Sequence, residues 1–208
     1  GPNTFIPLLE DSALIIPLGR WIINTAAKAC NRWITSIPDF VMHINLSFVQ
    51  IVKSNIVKDV LENIERYSAA NNHYVFEITE TIEMDQIPAV QNVFKEFVKN
   101  DFRFAIDDFG TGYSNYGYMR DRTFDIVKVD RSFVTDIDKL KDNYLMVSFI
   151  IKMAHEMGLH VCIEGVETKE ELSCVKRLGA DYIQGYYYGK PVCLQDFEEQ
   201  HLKRFVLG

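Results

Sequence analysis

The sequence predicts an α/β domain built on a parallel sheet, and two observations carry this prediction. Strand-like and helix-like segments alternate along the 208 residues, in six units of one strand followed by one helix. Such alternation is typical of parallel sheets, either doubly wound or closed into a barrel. A polar residue also lies at the C-terminal end of every predicted strand. Because a barrel gathers all strand ends on one face, whereas a doubly wound sheet has its site at one switch point, the pattern favours a (β/α) barrel.

The predicted strands are short apolar segments whose side chains alternate between two faces. Each polar strand end shares a face with the residue two positions earlier. These deeper residues are mostly apolar and suit the interior of a barrel, so the polar ends are expected at its mouth. The predicted strands are residues 41–47, 74–79, 103–107, 125–130, 160–164 and 182–186, and their polar ends are Asn45, Glu77, Asp107, Lys128, Glu164 and Gln184.

Apolar residues at intervals of three or four predict the helices between the strands. Thr168 followed by Glu171 is a capping box that begins one helix, and Gly179 ends it. An acidic helix over residues 194–205 is expected to close the chain. The predicted helix faces toward the core are Leu18, Ile22, Ala26, Cys30 and Trp33; Ile56, Val60, Leu61 and Ile64; Val90, Val93, Phe94, Phe97 and Val98; and Leu145, Phe149, Met153 and Met157.

Composition excludes several classes of function. The formal net charge is −7, from 22 basic and 29 acidic residues, which argues against binding of long nucleic acid. No apolar stretch approaches the roughly 18 residues that a transmembrane helix needs, so no membrane contact by this domain is expected, although its parent protein could be anchored to a membrane. The four cysteines have no paired spacing and are typical of reduced thiols in a cytoplasmic protein. Gly1-Pro2 is typical of a protease-cleavage remnant.

Four carboxylates at neighbouring strand ends require a compensating charge. Glu77, Asp107, Asp108 and Glu164 cannot all remain ionised at close range without one. Divalent cations would supply it, and carboxylate oxygens together with the Asn45 carbonyl suit Mg²⁺ or Mn²⁺. Two such cations sharing a carboxylate are typical of phosphoester hydrolysis, and they would let an acidic protein hold an anionic phosphodiester. A lysine among the carboxylates can orient a water molecule and stabilise developing charge.

Simpler interpretations stay open for several of these residues. Asp107 and Asp108 precede Phe-Gly-Thr-Gly and could serve turn formation only. Glu80 and Glu83 are expected as loop or helix-cap residues rather than ligands. His43 is expected to be a packed core histidine rather than a ligand. The aromatic run 186–188 could stack a base but is more typical of packing.

Six motifs, in this order, resemble those of EAL domains, bacterial phosphodiesterases that hydrolyse cyclic di-GMP. The resemblance covers nearly the whole chain, and the region from Phe5 to Ile15 is similar to the family's first helix. Asn115-Tyr116 stands where the family usually has Ser-Leu. The motifs are Asn45-Leu46-Ser47, Glu77-Ile78-Thr79-Glu80, Asp107-Asp108-Phe109-Gly110-Thr111-Gly112-Tyr113-Ser114, Lys128-Val129-Asp130 with Phe133-Val134, Glu164-Gly165-Val166-Glu167-Thr168 and Gln184-Gly185-Tyr186.

The resemblance implies a modified TIM barrel with a two-cation site, a cyclic di-GMP ligand and a homodimer. It implies that Asn45, Glu77 and Asp107 hold the first cation, and that Asp107 bridges to a second cation held also by Asp108 and Glu164. Lys128 would contact the nucleophilic water. Glu167, Asp130 and Gln184 would help to position water, and Glu80 would anchor the Asp108–Ser114 loop, which couples cation binding to dimerisation.

The family begins with two further strands, and the second of them carries the Glu-Ala-Leu signature. We therefore expect residues 1–208 to form a single EAL-type domain that lacks its N-terminal part, with about six of the eight strands. The leading hypothesis is hydrolysis of cyclic di-GMP to linear pGpG by the intact parent domain, with weak or absent activity in this chain alone. The alternatives are a non-catalytic cyclic di-GMP receptor and an interaction domain that binds no nucleotide; intact Lys128 and Glu164 argue against the last.

Overall fold

The computed structural model describes residues 1–67, 69–79, 88–111 and 123–202. These residues divide into two compact units. The first contains the described residues of 1–78, 83–103 and 192–208, and the second contains those of 79–82 and 104–191. The helices are α1 Pro2–Asp11, α2 Ile15–Trp33, α3 Phe48–Lys53, α4 Ile56–Glu65, α5 Pro88–Lys99, α6 Lys141–Glu156, α7 Lys169–Leu178 and α8 Leu194–Phe197; the strands are β1 Met42–Asn45, β2 Tyr74–Thr79, β3 Arg103–Phe109, β4 Ile126–Val129, β5 His160–Ile163 and β6 Tyr182–Ile183.

In the first unit, β1 and β2 are parallel and Asn45 pairs with Glu77. Every residue of β2 except the last is buried, and this includes Glu77 among the apolar residues of the strand. Phe76 of this strand packs edge-on against Phe97 and Phe102, with ring centroids 5.0 and 5.5 Å apart. This aromatic cluster joins the strand to α5, so the register that places Glu77 beside Asn45 is supported by a packed core.

In the second unit, β3, β4, β5 and β6 follow one another in chain order, and each pair of neighbours is parallel. All four residues of β4 are buried. The backbone after β5 lies so close to the turn after β6 that a Cβ on Gly185 would be 2.2 Å from the Val166 carbonyl oxygen. Glycine is therefore required there, and this contact fixes the approach of the two strand ends.

The buried face of α2 differs from the prediction. Cys30 and Trp33 are buried as expected, but Ile22 is exposed, and Leu18 and Ala26 are only half-buried. The buried positions are instead Ile15, Gly19, Ile23, Ala27 and Ala29. Small residues allow this face to pack closely. A Cβ on Gly19 would lie 2.0 Å from the side-chain nitrogen of Gln50 in α3.

The prediction of which side of α6 faces the core is also wrong. Leu145 and Phe149 are 53% and 58% exposed, and Met146 beside them is 46% exposed. The helix turns Val147, Ile150, Ile151 and Ala154 toward the core instead. On α5, Val98 is likewise exposed, whereas Val90, Phe94 and Phe97 are buried as predicted. The second unit therefore presents three large apolar side chains of α6 to solvent.

Several elements are shorter or longer than predicted. β1 ends at Asn45, and Ser47 caps α3 by accepting a hydrogen bond from the Val49 N–H at 3.1 Å. β3 continues through the predicted turn to Phe109. The closing α-helix is only α8, followed by a π-helical turn over Glu198–Leu202, and residues 203–208 lie outside the described residues.

Within the described residues, no helix combines the length and apolar character needed to cross a membrane. The four cysteines are free thiols, as their spacing predicts, and three of them, Cys30, Cys162 and Cys174, are buried. Burial raises the pKa of the Cys30 thiol. A buried thiol of raised pKa is poorly reactive, so Cys30 acts as a core residue.

Candidate metal-binding and catalytic site

A buried lysine lies at the centre of the polar cluster in the second unit. Lys128 is on β4, and its side chain is only 4% exposed. Its Nζ lies 2.8 Å from Asp107 Oδ1 of β3 and 2.8 Å from Glu164 Oε1, directly after β5. The Glu164 backbone N–H donates to the Val129 carbonyl at 3.1 Å, which holds the glutamate at the strand end. Three neighbouring strands thus bring these groups together, as the sequence predicts.

A bulge in β3 places both aspartates near this lysine. Between the paired positions Ile106↔Val127 and Phe109↔Val129, β3 has two residues, Asp107 and Asp108, opposite the single Lys128 of β4. Asp108 accommodates the extra residue with a φ of +54°, which aspartate tolerates better than most residues. In a regular strand the two side chains would point to opposite faces. The bulge explains how consecutive aspartates can contribute to one site.

The oxygens of this cluster fit a hard divalent cation. One carboxylate oxygen from each of Asp107, Asp108 and Glu164 lies within 4.8 Å of the others. Oxygen ligands around Mg²⁺ or Ca²⁺ are separated by roughly 3 to 5 Å, given metal–oxygen distances of about 2.0 to 2.6 Å. One ammonium does not neutralise three carboxylates, so the cluster retains negative charge that a cation would offset.

The other predicted cation ligands, Asn45 and Glu77, lie side by side in the first unit. They are register partners at the ends of β1 and β2, on one face of the parallel pair. Glu77 is 5% exposed. The Glu77 carbonyl accepts a hydrogen bond from the Leu46 N–H at 2.9 Å, which holds the two strand ends together. This pair supplies one carboxylate and one amide carbonyl.

The position of His43 differs from the prediction. A packed core histidine is predicted there, but its side chain is 37% exposed and its Nδ1 lies 2.7 Å from Glu77 Oε1. The sequence contains a signal for this role, because His43 precedes Asn45 by two residues. That spacing places both side chains on one face of the strand. His43 therefore belongs to the candidate site through its contact with Glu77.

The remaining predicted site residues have mainly structural contacts in the described part of the chain. The Asp130 carboxylate accepts from the Ser132 N–H at 2.9 Å and caps a short 3-10 turn. Gln184 directly follows β6, Glu167 lies four residues after β5, and both are exposed. The Thr111 hydroxyl donates to the Asp108 carbonyl at 2.8 Å, which closes the turn after the bulge. Phe109 is buried, Gly110 has a φ of +97°, and Glu80 and Gly112 lie outside the described residues.

Glu171 fixes the backbone beside Glu164. The predicted capping box is confirmed, because its carboxylate accepts from the Thr168 N–H at 3.0 Å while Thr168 Oγ1 accepts from the Glu171 N–H at 3.2 Å. The carboxylate also accepts from the N–H groups of Glu167 at 2.9 Å and Asp136 at 3.2 Å. Burial alone would raise the pKa of Glu171, but these hydrogen bonds outweigh burial and lower it.

Replacement of Glu171 by alanine is expected to destabilise the protein by about 2 to 3 kcal/mol at pH 7, because three backbone donors lose a charged acceptor. The folded-state pKa lies below the ordinary value of 4.5, so the stabilisation is complete above that pH and is lost as pH falls through the folded pKa. Urea unfolding of the wild type and Glu171→Ala at pH 7 and at low pH measures both effects. Glu170→Ala, an exposed change on the same helix turn, is the control; an equal loss in both variants would contradict the assignment.

Comparison with known proteins places this chain in a family. The model of the EAL domain matches residues 1–191. The chain belongs to the EAL domain family. A relative described as the probable cyclic di-GMP phosphodiesterase PdeG of Escherichia coli is 32% identical over 196 residues, covering 94% of this chain and 39% of that protein. The chain spans 30% or less of the length of several other relatives.

Solved structures support the same assignment. The EAL enzyme Bd1971, in a form bound to cAMP and cyclic di-GMP, matches with a TM-score of 0.91 and 34% identity over 99% of this chain and 56% of that one. The PaMucR phosphodiesterase in complex with cyclic di-GMP matches with a TM-score of 0.88 and 29% identity, covering 95% and 80% of the two chains. The predicted fold, a modified TIM barrel, is confirmed, and the described residues contain six of its strands.

Proposed function

We propose that this EAL chain hydrolyses cyclic di-GMP to linear pGpG in its intact parent domain, using two divalent cations, Mg²⁺ or Mn²⁺. The observation that carries the proposal is Lys128, held 2.8 Å from both Asp107 and Glu164 beside a third carboxylate. Family membership supports the substrate, since PdeG and PaMucR are both described as phosphodiesterases and PaMucR binds cyclic di-GMP.

The carboxylates have distinct proposed tasks. Asn45, Glu77 and Asp107 would hold the first cation, while Asp107, Asp108 and Glu164 would hold the second. Bound cations would lower the pKa of a water molecule and stabilise charge on the phosphodiester. The bulge at Asp107 and Asp108 supports the shared role of Asp107, because it lets two consecutive carboxylates serve one site.

Lys128 would orient the attacking water. A protonated lysine can only donate hydrogen bonds, so Lys128 cannot act as the base while it is charged. Its two carboxylate contacts favour the charged form. We assign Lys128 to donate to the water oxygen and to stabilise negative charge on the phosphoryl group. Asp130, Glu167 and Gln184 are proposed to position water from the same strand ends, with Glu80 anchoring the loop that includes Phe109, Gly110, Thr111 and Gly112.

We propose further that residues 1–208 are one EAL-type domain that works in the cytoplasm, within a parent protein that could be anchored to a membrane. The domain would form a homodimer, as the family resemblance implies. The free thiols support the location. The exposed apolar side chains of α6, Leu145, Met146 and Phe149, support a second copy as partner. Light scattering of the purified parent protein measures its mass.

The function is tested by incubating the parent protein with cyclic di-GMP and Mn²⁺ and separating the products by ion-pair chromatography. We expect pGpG to accumulate with Mn²⁺ or Mg²⁺ and to stop forming when a chelator is added, and to resume when cation is returned. Product formation at an unchanged rate in chelator would contradict the two-cation mechanism. Tight binding of cyclic di-GMP with no product would identify the chain as a receptor instead.

A further inference from the structure

His43 and Glu77 form a contact whose chemistry bears on which cation the site accepts. The β1–β2 register pairs His43 with Val75 and Asn45 with Glu77, so His43 and Glu77 are diagonal neighbours on one face. Their Nδ1 and Oε1 atoms are 2.7 Å apart. The Glu77 side chain is 6% exposed and that of His43 is 37% exposed. An accessible histidine therefore restrains a buried carboxylate.

The direction of this hydrogen bond follows from the acceptor. An ionised carboxylate can only accept, so Nδ1 carries the proton and donates to Glu77 Oε1. The donated bond restricts rotation of the carboxylate and uses one lone pair of Oε1, which makes Oε1 a weaker second donor to a cation. A cation that binds Glu77 through Oε2 would then gain less from a second contact with Oε1.

The number of oxygens that Glu77 offers discriminates between cations. Mg²⁺ and Mn²⁺ take one oxygen from each carboxylate in a compact octahedron, whereas Ca²⁺ has more ligands and accepts both oxygens of one carboxylate. We propose that His43 is a positioning residue that keeps Glu77 monodentate and so favours Mg²⁺ and Mn²⁺ over Ca²⁺. This inference rests on the proposed function, in which Glu77 is a ligand of the first cation.

The test compares donor and non-donor replacements of similar size. His43→Asn places an amide N–H close to the position of Nδ1, whereas His43→Leu removes the donor and keeps much of the volume. Mn²⁺ and Ca²⁺ dissociation constants are measured by titration calorimetry of the parent protein. We expect His43→Leu to weaken Mn²⁺ binding by about tenfold, the size typical of lost support to a metal ligand. Ca²⁺ binding is expected to be unchanged or tighter, and His43→Asn to retain most of the wild-type preference.

The ratio of the two affinities separates positioning from structural damage. Equal weakening of Mn²⁺ and Ca²⁺ binding in His43→Leu, or no change in either, would overturn the proposal. If His43→Leu unfolds, His43→Ala takes its place with the same expected ratio.

A Glu77→Gln variant distinguishes failure of this inference from failure of the proposed function. If Glu77→Gln binds Mn²⁺ as tightly as the wild type, Glu77 is not a ligand, and both proposals are wrong for this residue. If Glu77→Gln weakens Mn²⁺ binding while His43→Leu leaves the Mn²⁺/Ca²⁺ ratio unchanged, only the role of His43 is wrong. In the double variant that combines Glu77→Gln with His43→Leu, the ratio of Mn²⁺ to Ca²⁺ affinity is expected to equal that of Glu77→Gln alone.

Discussion

Lys128→Met is expected to reduce the turnover of cyclic di-GMP by about 10²- to 10³-fold without weakening Mn²⁺ binding. The loss in turnover is of the size seen when one donor to developing charge is removed. Mn²⁺ binding is preserved or tightened because the lysine ammonium, 2.8 Å from both Asp107 and Glu164, competes with a cation for the same oxygens. Single-turnover hydrolysis and Mn²⁺ calorimetry of the parent protein measure the two effects.

Lys139→Met is the matched control for this experiment. Lys139 is also ion-paired with an aspartate of the second unit, Asp136, but its side chain is 69% exposed. We expect normal turnover in this variant. Weaker Mn²⁺ binding in Lys128→Met, with a native melting curve in Mn²⁺, would show that the lysine supports the cluster rather than the chemistry.

Asp107→Asn is expected to reduce both turnover and cation affinity, and to do so more than Glu80→Gln at saturating cation. The proposed bridging role makes Asp107 a ligand of two cations, so loss of its charge affects both, whereas an anchoring residue acts through geometry alone. We expect a fall in turnover of about 10³-fold or more for Asp107→Asn, compared with about 10- to 100-fold for Glu80→Gln.

The comparison requires that both variants fold. Thermal melting in Mn²⁺ checks this, and Asp107→Asn removes one of the two carboxylates that neutralise buried Lys128, so a lower melting temperature is expected without cation. Equal losses of turnover in two variants with native-like melting would show that the roles of Asp107 and Glu80 are assigned incorrectly.

The sequence alone determined the order of strands and helices and the residues at the strand ends. Short apolar segments and capping signals act locally, so Tyr74–Thr79 and the Thr168–Glu171 capping box were predicted correctly. The faces of α2 and α6 were not, because both helices carry apolar residues on more than one side. The spacing of apolar residues predicts a helix but does not specify which of its apolar faces is buried. Contact with neighbouring elements determines the buried face, and the close approach of the Gln50 side chain to Gly19 is an example.

Only the tertiary structure decided how the strand ends combine. Strand alternation sends Asp107 and Asp108 to opposite faces, and the bulge that brings both near Lys128 depends on the register between β3 and β4. The contact between His43 and Glu77 likewise depends on the register between β1 and β2. Register is set by packing between segments distant in sequence, so a residue pattern along one chain segment names the candidate ligands but does not specify which side chains meet.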